Sequence, residues 1–252
     1  MSFFHSKNIQ LVDSAPKELQ TIGITGGEPT LAGENFFELI THIKQQLPNT
    51  HIQILSNGRF FANESNAQRL AKVGGDMLIV GVPLHADSNI LHDKIAGAKG
   101  AYNETMLGLY NLAANDVAIE LRIVINKQNY KRLPQLALFI SKNLVFVSCV
   151  AFMALEDIGY TIKNRDQIWI EPLEYMEQLQ QAAVFLSLME FDVSLFNLPL
   201  CLLPPVLHPL SKQSISDWKN IYLPQCESCS ARNNCCGLFS TSKTIFQGIH
   251  PL

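Results

Sequence analysis

Thr21-Ile22-Gly23-Ile24-Thr25-Gly26-Gly27-Glu28-Pro29-Thr30 decides how the rest of the chain is read. A short β-type run ends on two glycines, a carboxylate and a proline. A helix-period segment follows over Gly33–Leu47. Glycine permits unusual dihedrals and lets backbone approach a ligand closely. Pro29 stiffens the turn and gives up its N–H. Glu28 sets a carboxylate at the C-terminal end of a strand, where the sites of α/β proteins gather. A ligand ammonium group suits both that carboxylate and free backbone carbonyls. An ordinary βα turn reads the same way locally, because short glycine-rich motifs are weak by themselves.

Further along the chain the same alternation repeats. Apolar β-type runs at His51–Ser56, Asp76–Pro83, Ala118–Asn126 and Leu144–Phe152 are separated by helix-period segments at Glu64–Val73, Tyr102–Asn115 and Tyr130–Lys142. A further helix is read over Pro172–Met189. Repeated βα units of this kind predict a parallel sheet. Its strands are rich in Ile, Val and Leu on both faces, as a sheet covered by helices requires. About five strands are too few for a full eight-unit barrel and suit a partial barrel or a doubly wound sheet. Near Leu195 the pattern breaks at Asn197-Leu198-Pro199-Leu200-Cys201-Leu202-Leu203-Pro204-Pro205, and the remainder is rich in loops. The division expected is an α/β domain over 1–195 and a small cysteine-rich module over 196–252.

The 252 residues are 47% hydrophobic, which provides a sizeable core and argues against disorder. A net charge of −3 without a dense Lys/Arg block argues against a nucleic-acid surface. No apolar run reaches the length of a membrane span. The N-terminus lacks the charged start and apolar centre of a signal peptide. These features predict a cytoplasmic protein that has neither nucleic acid nor membrane as a partner.

Three further motifs carry chemistry. Ser56-Asn57-Gly58 sets a hydroxyl, an amide and a flexible glycine after the second run, suited to ribose hydroxyls, although Asn-Gly is also a common turn dipeptide. In Glu120-Leu121-Arg122-Ile123-Val124-Ile125-Asn126, alternation places Glu120, Arg122 and Asn126 on one face. Charges within an apolar strand are costly unless paired or bound. A polar ligand, an internal Glu120–Arg122 pair or an edge position accounts for them. Of six cysteines, none precedes Cys149 and four lie between Cys226 and Cys236. Cys226-x-x-Cys229 with Cys235, and Cys201 upstream, gives four thiolate candidates for an iron–sulfur cluster or zinc, between which spacing does not choose. Cys236 is an alternative to Cys235, and Cys149 reads as core. His85 with Asp87, and Glu156 with Asp157, follow strand ends, where such pairs line a pocket or, more often, form polar loops. The loose pair His85 and His92 reads as surface.

Together these motifs resemble the radical SAM superfamily from about Thr21 to Phe239. Gly26-Gly27-Glu28-Pro29 resembles its GGEP motif, which implies binding of the amino group of S-adenosylmethionine. Ser56-Asn57-Gly58 resembles a ribose-contacting segment, Arg122 an arginine near the methionine carboxylate, and Val150–Ile158 a region against adenine. Pro199-Leu200-Cys201, Ser214-Ile215-Ser216-Asp217-Trp218-Lys219-Asn220 and Cys226-x-x-Cys229-x5-Cys235 before Gly237-x-Phe239 resemble the maturases of His-Xaa-Ser peptide systems. The tail is also similar to the auxiliary modules called SPASM or twitch domains. The resemblance implies a partial (β/α) barrel lacking its first strand, and an auxiliary 4Fe-4S cluster on Cys201, Cys226, Cys229 and Cys235. It further implies a small peptide substrate and a companion maturase as partners. The implied chemistry is reductive cleavage of S-adenosylmethionine to a radical that takes hydrogen from the substrate.

One departure bears on activity. The family's CxxxCxxC motif precedes GGEP, and this chain has no cysteine there and 25 residues before Gly26. The expectation is an N-terminally shortened maturase, inactive alone, with Met1 an internal start. The alternative is a non-catalytic binder of a peptide or partner, with a structural iron–sulfur or zinc site.

Overall fold

A computed structural model describes residues 3–213, 220–241 and 245–252. Strands β1 (Thr21–Ile24), β2 (His51–Leu55), β3 (Leu78–Pro83), β4 (Ala118–Ile125), β5 (Cys149–Ala154) and β6 (Val193–Phe196) form one parallel sheet in the order β1-β2-β3-β4-β5-β6. Strictly sequential order is that of a (β/α) barrel, whereas a doubly wound sheet reverses direction at a switch point. The helices are α1 (Phe3–Asp13), α2 (Glu34–Gln46), α3 (Glu64–Gly74), α4 (Asn89–Ala96), α5 (Ala101–Ala114), α6 (Leu133–Asn143), α7 (Thr161–Ile168) and α8 (Pro172–Leu188). The architecture is an α/β partial barrel with a cysteine-rich tail. In the tail, β7 (Asn220–Ile221) and β8 (Leu238–Phe239) pair antiparallel.

The chain clusters into two compact units. The first comprises the residues up to Pro83, Lys99–Leu121 and Phe146–Ser148; the second comprises Leu84–Ala98, Arg122–Val145 and Cys149–Leu252. In the first, β1 pairs with β2 from Thr21↔His51 to Ile24↔Ile54, and β2 with β3 from Ile52↔Leu78 to Leu55↔Gly81. Phe36, Phe37, Ile40 and Ile43 form the buried stripe of α2. The helix carries Glu34 in its first turn and Lys44 in its last, matching the helix dipole. Asn63 caps α3 by accepting the Ser65 N–H at 3.1 Å. Ile52, Ile54, Val80, Val82, Leu109 and Leu112 are fully buried between these layers. Each such side chain contributes about 1.5–3 kcal/mol relative to exposure.

In the second unit, β5 pairs with β6 from Val150↔Val193 to Met153↔Phe196. Helices α6 and α8 pack together through stripes that include Leu136, Ile140, Leu179 and Ala183. Beyond β6, Asn197 adopts a left-handed conformation (φ 64°) and its amide donates to the Ala154 carbonyl at 3.3 Å, which redirects the chain into the tail.

Several expectations are corrected. The sheet has a sixth strand, β6, and helices α1, α4 and α7 were not read from the sequence. The fifth strand starts at Cys149 rather than Leu144, which is buried at the end of α6. Asn126 lies beyond β4 and builds a turn: its Oδ1 accepts the Gln128 N–H, and its own N–H donates to Asn129 Oδ1, both at 2.9 Å. Of the tail segment Ser214–Asn220, residues 214–219 lie outside the described residues.

Candidate functional site

In the first unit, the turn after β1 is built around Glu28. Gly26 has φ 147°, a conformation side chains rarely adopt, and a Cβ on Gly26 or Gly27 would meet nothing within 4 Å. Both glycines are exposed, so their backbone is open to close approach by a ligand. Glu28 then caps the 3-10 turn Pro29–Ala32. Its Oε1 accepts the Thr30 hydroxyl at 2.7 Å, the Thr30 N–H at 3.3 Å and the Ser56 hydroxyl at 2.8 Å. Its Oε2 accepts the Asn57 N–H at 2.7 Å. One carboxylate thus ties the turn after β1 to the turn after β2.

That second turn is held from behind by α5. Gly58 has φ 78°. A Cβ at Gly108 would come within 2.1 Å of the Gly58 carbonyl oxygen, so helix and turn meet backbone to backbone. Thr105 Oγ1 donates to the Asn57 carbonyl at 3.0 Å, and Asn111 Nδ2 donates to the carbonyls of Phe61 and Ala62. The Ser56 hydroxyl, expected to face ribose, is committed to Glu28 and also accepts the Gly58 N–H at 3.2 Å. Asn57 Oδ1 accepts the Arg59 N–H at 2.9 Å. The structure therefore brings Gly26–Pro29 and Ser56–Asn57 together through Glu28. The supporting residues Thr30, Thr105 and Gly108 were not singled out from sequence.

On β4, Ile119, Leu121, Ile123 and Ile125 are fully buried, and the alternate residues Glu120 and Arg122 share the opposite, half-buried face. Gln53 Nε2 donates to Glu120 Oε2 at 3.2 Å within the first unit. Arg122 belongs to the second unit, where its guanidinium donates to Met153 Sδ at 3.1 Å.

His85 and His92, read as surface, are packed ring to ring with centroids 5.0 Å apart, and His92 is 2% exposed. The His85 N–H donates to His92 Nδ1 at 3.2 Å. The His85 Nδ1 is buried without a hydrogen-bond partner among the described residues. Burial, then the neighbouring His92, pushes the His85 imidazole down to about 4. Burial also lowers His92. The polar strand-end residues are structural: Asp87 accepts from Arg132 at 2.9 Å, Asp157 from Arg165 at 2.6 Å, and Glu156 from Asn197 at 3.3 Å. Cys149 is half-buried at the start of β5.

In the tail, Cys201, Cys226, Cys229 and Cys235 line one cavity. Cys236, the buried neighbour of Cys235, is not among the residues that line this cavity. The Cys236 thiol is 1% exposed and lies 3.3 Å from the Gly237 carbonyl. Cys235 Sγ accepts N–H groups from Leu200 at 3.3 Å and Gly237 at 3.4 Å. The Cys236 thiol beside it, and then these N–H groups, bring the Cys235 thiol down to about 6 against the effect of burial. Burial pushes the Cys201 thiol up. Among the described residues no three His, Cys, Asp or Glu side chains converge closely enough for one metal ion. A tetrahedral zinc would draw four sulfurs to about 3.8 Å from one another, given Zn–S bonds of about 2.3 Å. Thiolates on the corners of a 4Fe-4S cubane stand wider apart. Four cysteines around one cavity, with N–H donors aimed at the sulfurs, suit the larger group. For S-adenosylmethionine, the open glycine backbone provides room for a ligand amine. No cysteine precedes Cys149, so the segments that build that turn carry no thiolate for a second cluster.

The Radical SAM superfamily model matches residues 7–140. The Fe-coproporphyrin III synthase of Methanosarcina barkeri is 28% identical over 142 residues, covering 56% of this chain and 34% of the relative. Among solved structures, anSMEcpe with bound AdoMet and the Kp18Cys peptide is similar at a TM-score of 0.57 and 18% identity, covering 72% of this chain and 50% of that one. Streptococcus suis SuiB is similar at a TM-score of 0.58 and 15% identity, covering 76% of this chain and 42% of that one. The chain thus spans about a third to a half of the length of these proteins. With the model covering more than half of its residues, and the Gly26–Pro29 turn inside the matched span, the chain belongs to the radical SAM superfamily.

Proposed function

We propose that this chain is the S-adenosylmethionine-binding and auxiliary-cluster portion of a radical SAM enzyme that modifies a ribosomally made peptide of the His-Xaa-Ser type. The observation that carries it is the Glu28 carboxylate, which locks the turns after β1 and β2 together and leaves the Gly26–Gly27 backbone exposed. When bound beside a reduced cluster, S-adenosylmethionine supplies the radical that takes hydrogen from substrate. The chain's own part is to bind and orient. The Gly26 and Gly27 carbonyls and Glu28 would receive the amine and Asn57 Nδ2 would donate to ribose; Arg122, on the resemblance alone, is the candidate for the methionine carboxylate. In the tail, Cys201, Cys226, Cys229 and Cys235 hold the auxiliary 4Fe-4S cluster, with residues 196–252 as its module.

The peptide class is supported by two similar folds whose structures are described with peptides: anSMEcpe with Kp18Cys, and SuiB with its precursor peptide SuiA. The His-Xaa-Ser assignment rests on the tail pattern, and a companion maturase would supply what this chain lacks. Thiols left out of disulfides suit the cytoplasm. The Methanosarcina relative, named for Fe-coproporphyrin III, sets the competing substrate class.

NMR titration tests the reading. S-adenosylmethionine is expected to shift the amides of Gly26, Gly27 and Asn57, and Glu28→Gln to weaken that binding by about tenfold, the value of one charge-assisted hydrogen bond. A His-Xaa-Ser repeat peptide is expected to bind the wild-type chain. Shifts confined to other residues, or tighter binding of Fe-coproporphyrin III than of the peptide, would overturn it.

A further inference from the structure

Residues 245–252 are built onto the cysteine cavity. Phe246 is buried in a small core with Leu202 and Leu238 and stacks on Trp169 at 5.9 Å between ring centroids. The Gln247 N–H donates to Glu171 Oε1 at 2.6 Å. Gly248 turns the chain at φ 80°, where a Cβ would come within 2.9 Å of Leu173 Cδ1. Beyond it, Ile249, His250 and Leu252 join the cavity wall. The Leu252 N–H donates to Cys229 Sγ at 3.4 Å. The Leu252 backbone oxygen accepts in turn from the Ser230 N–H at 3.1 Å and the Ser230 hydroxyl at 2.8 Å. With Leu200 and Gly237 donating to Cys235, backbone N–H groups reach two of the four candidate ligands.

An N–H aimed at a ligating sulfur stabilises the extra negative charge of a reduced cluster and raises its potential. An apolar cover slows the entry of water and dioxygen. We infer that Gly248–Leu252 is a strap that sets the reduction potential and air sensitivity of the cluster on Cys201, Cys226, Cys229 and Cys235. The inference rests on the auxiliary-cluster reading above. One electron enters the cluster from an external one-electron reductant, and no bond of the chain is made or broken.

The test uses the full chain reconstituted anaerobically with iron and sulfide. Leu252→Pro removes the donor to Cys229, Leu252→Ala keeps it, and Ser230→Ala loosens the hold on the Leu252 backbone oxygen. Circular dichroism checks the fold, and EPR-monitored titration with dithionite reads the midpoint potential. Leu252→Pro is expected to have a more negative midpoint than wild type and to bleach severalfold faster in air. Leu252→Ala should follow wild type in potential, and Ser230→Ala should shift in the direction of Leu252→Pro, but less. Failure of Leu252→Pro to assemble a cluster, where Leu252→Ala does, also supports the strap. If wild type assembles a 4Fe-4S cluster and Leu252→Pro matches it in both readouts, the strap is overturned and the cluster reading stands. If wild type binds only zinc or no metal, the cluster reading falls and the strap with it.

Discussion

Glu28 joins two turns with four hydrogen bonds to one carboxylate, and that makes it more than a group waiting for a ligand. A carboxylate offers about four lone-pair sites, so Oε2, with one donor, keeps capacity for a ligand amine while Oε1 is saturated. His85 argues a different point. It is neutral in the fold because burial and His92 hold it near 4, whereas unfolded it titrates near 6.5. Between those values the unfolded chain binds a proton that the folded chain does not. The stability from keeping this ring neutral is therefore fully present above about pH 6.5 and falls as pH drops toward 4. The lowering of His92 acts in the same direction. Because His85 is not fully buried, the loss is expected to be about 2 kcal/mol or less. Urea unfolding at pH 7 and pH 5 reads it, and His85→Asn is expected to flatten the difference between the two.

At the scale of elements, the contact between α5 and the turn after β2 fixes where Asn57 stands. Gly108→Ala would place a methyl 2.1 Å from the Gly58 carbonyl, where backbone rather than a movable side chain must yield. The expected cost is about 1–3 kcal/mol from overpacking, outweighing a helix-propensity gain of up to about 1 kcal/mol. A lowered unfolding midpoint, together with weaker amide shifts at Gly26 and Asn57 on adding S-adenosylmethionine, would record it. This contact also shows where sequence reading stops. The units from Thr21 to Pro83 were legible because their Ile- and Val-rich runs contrast with clear helical stripes. Gly26–Pro29 and Ser56–Asn57 were legible as motifs because short polar groups at strand ends stand out. Thr105, Gly108 and Asn111 were not, since their meaning depends on a backbone that packs against them from another part of the chain. Strand β6 escaped because its four residues carry too little periodicity to separate from the end of α8. The burial of His92 escaped because a lone histidine in a short helix gives no sign of what covers it.

At the scale of the molecule, two candidate sites differ in what they contain. The tail supplies four cysteines around one cavity, whereas the 148 residues before Cys149 supply no thiolate for a cluster beside the Gly26–Pro29 turn. Cleavage of S-adenosylmethionine in this family needs an electron delivered at the bound cofactor, and protein groups that only orient it cannot replace the donor. This 252-residue chain, reconstituted with iron and sulfide and reduced with dithionite, is therefore expected to release 5′-deoxyadenosine no faster than a protein-free control, while its tail retains iron. Turnover above that control would mean that thiolates elsewhere in the chain reach the cofactor, and the assignment of the cysteines would fail. Peptide binding without turnover is common to the enzyme portion and the non-catalytic binder. Adding a segment or companion protein that carries CxxxCxxC separates them: the enzyme reading requires 5′-deoxyadenosine to appear and to depend on Glu28, and the binder reading requires that it does not.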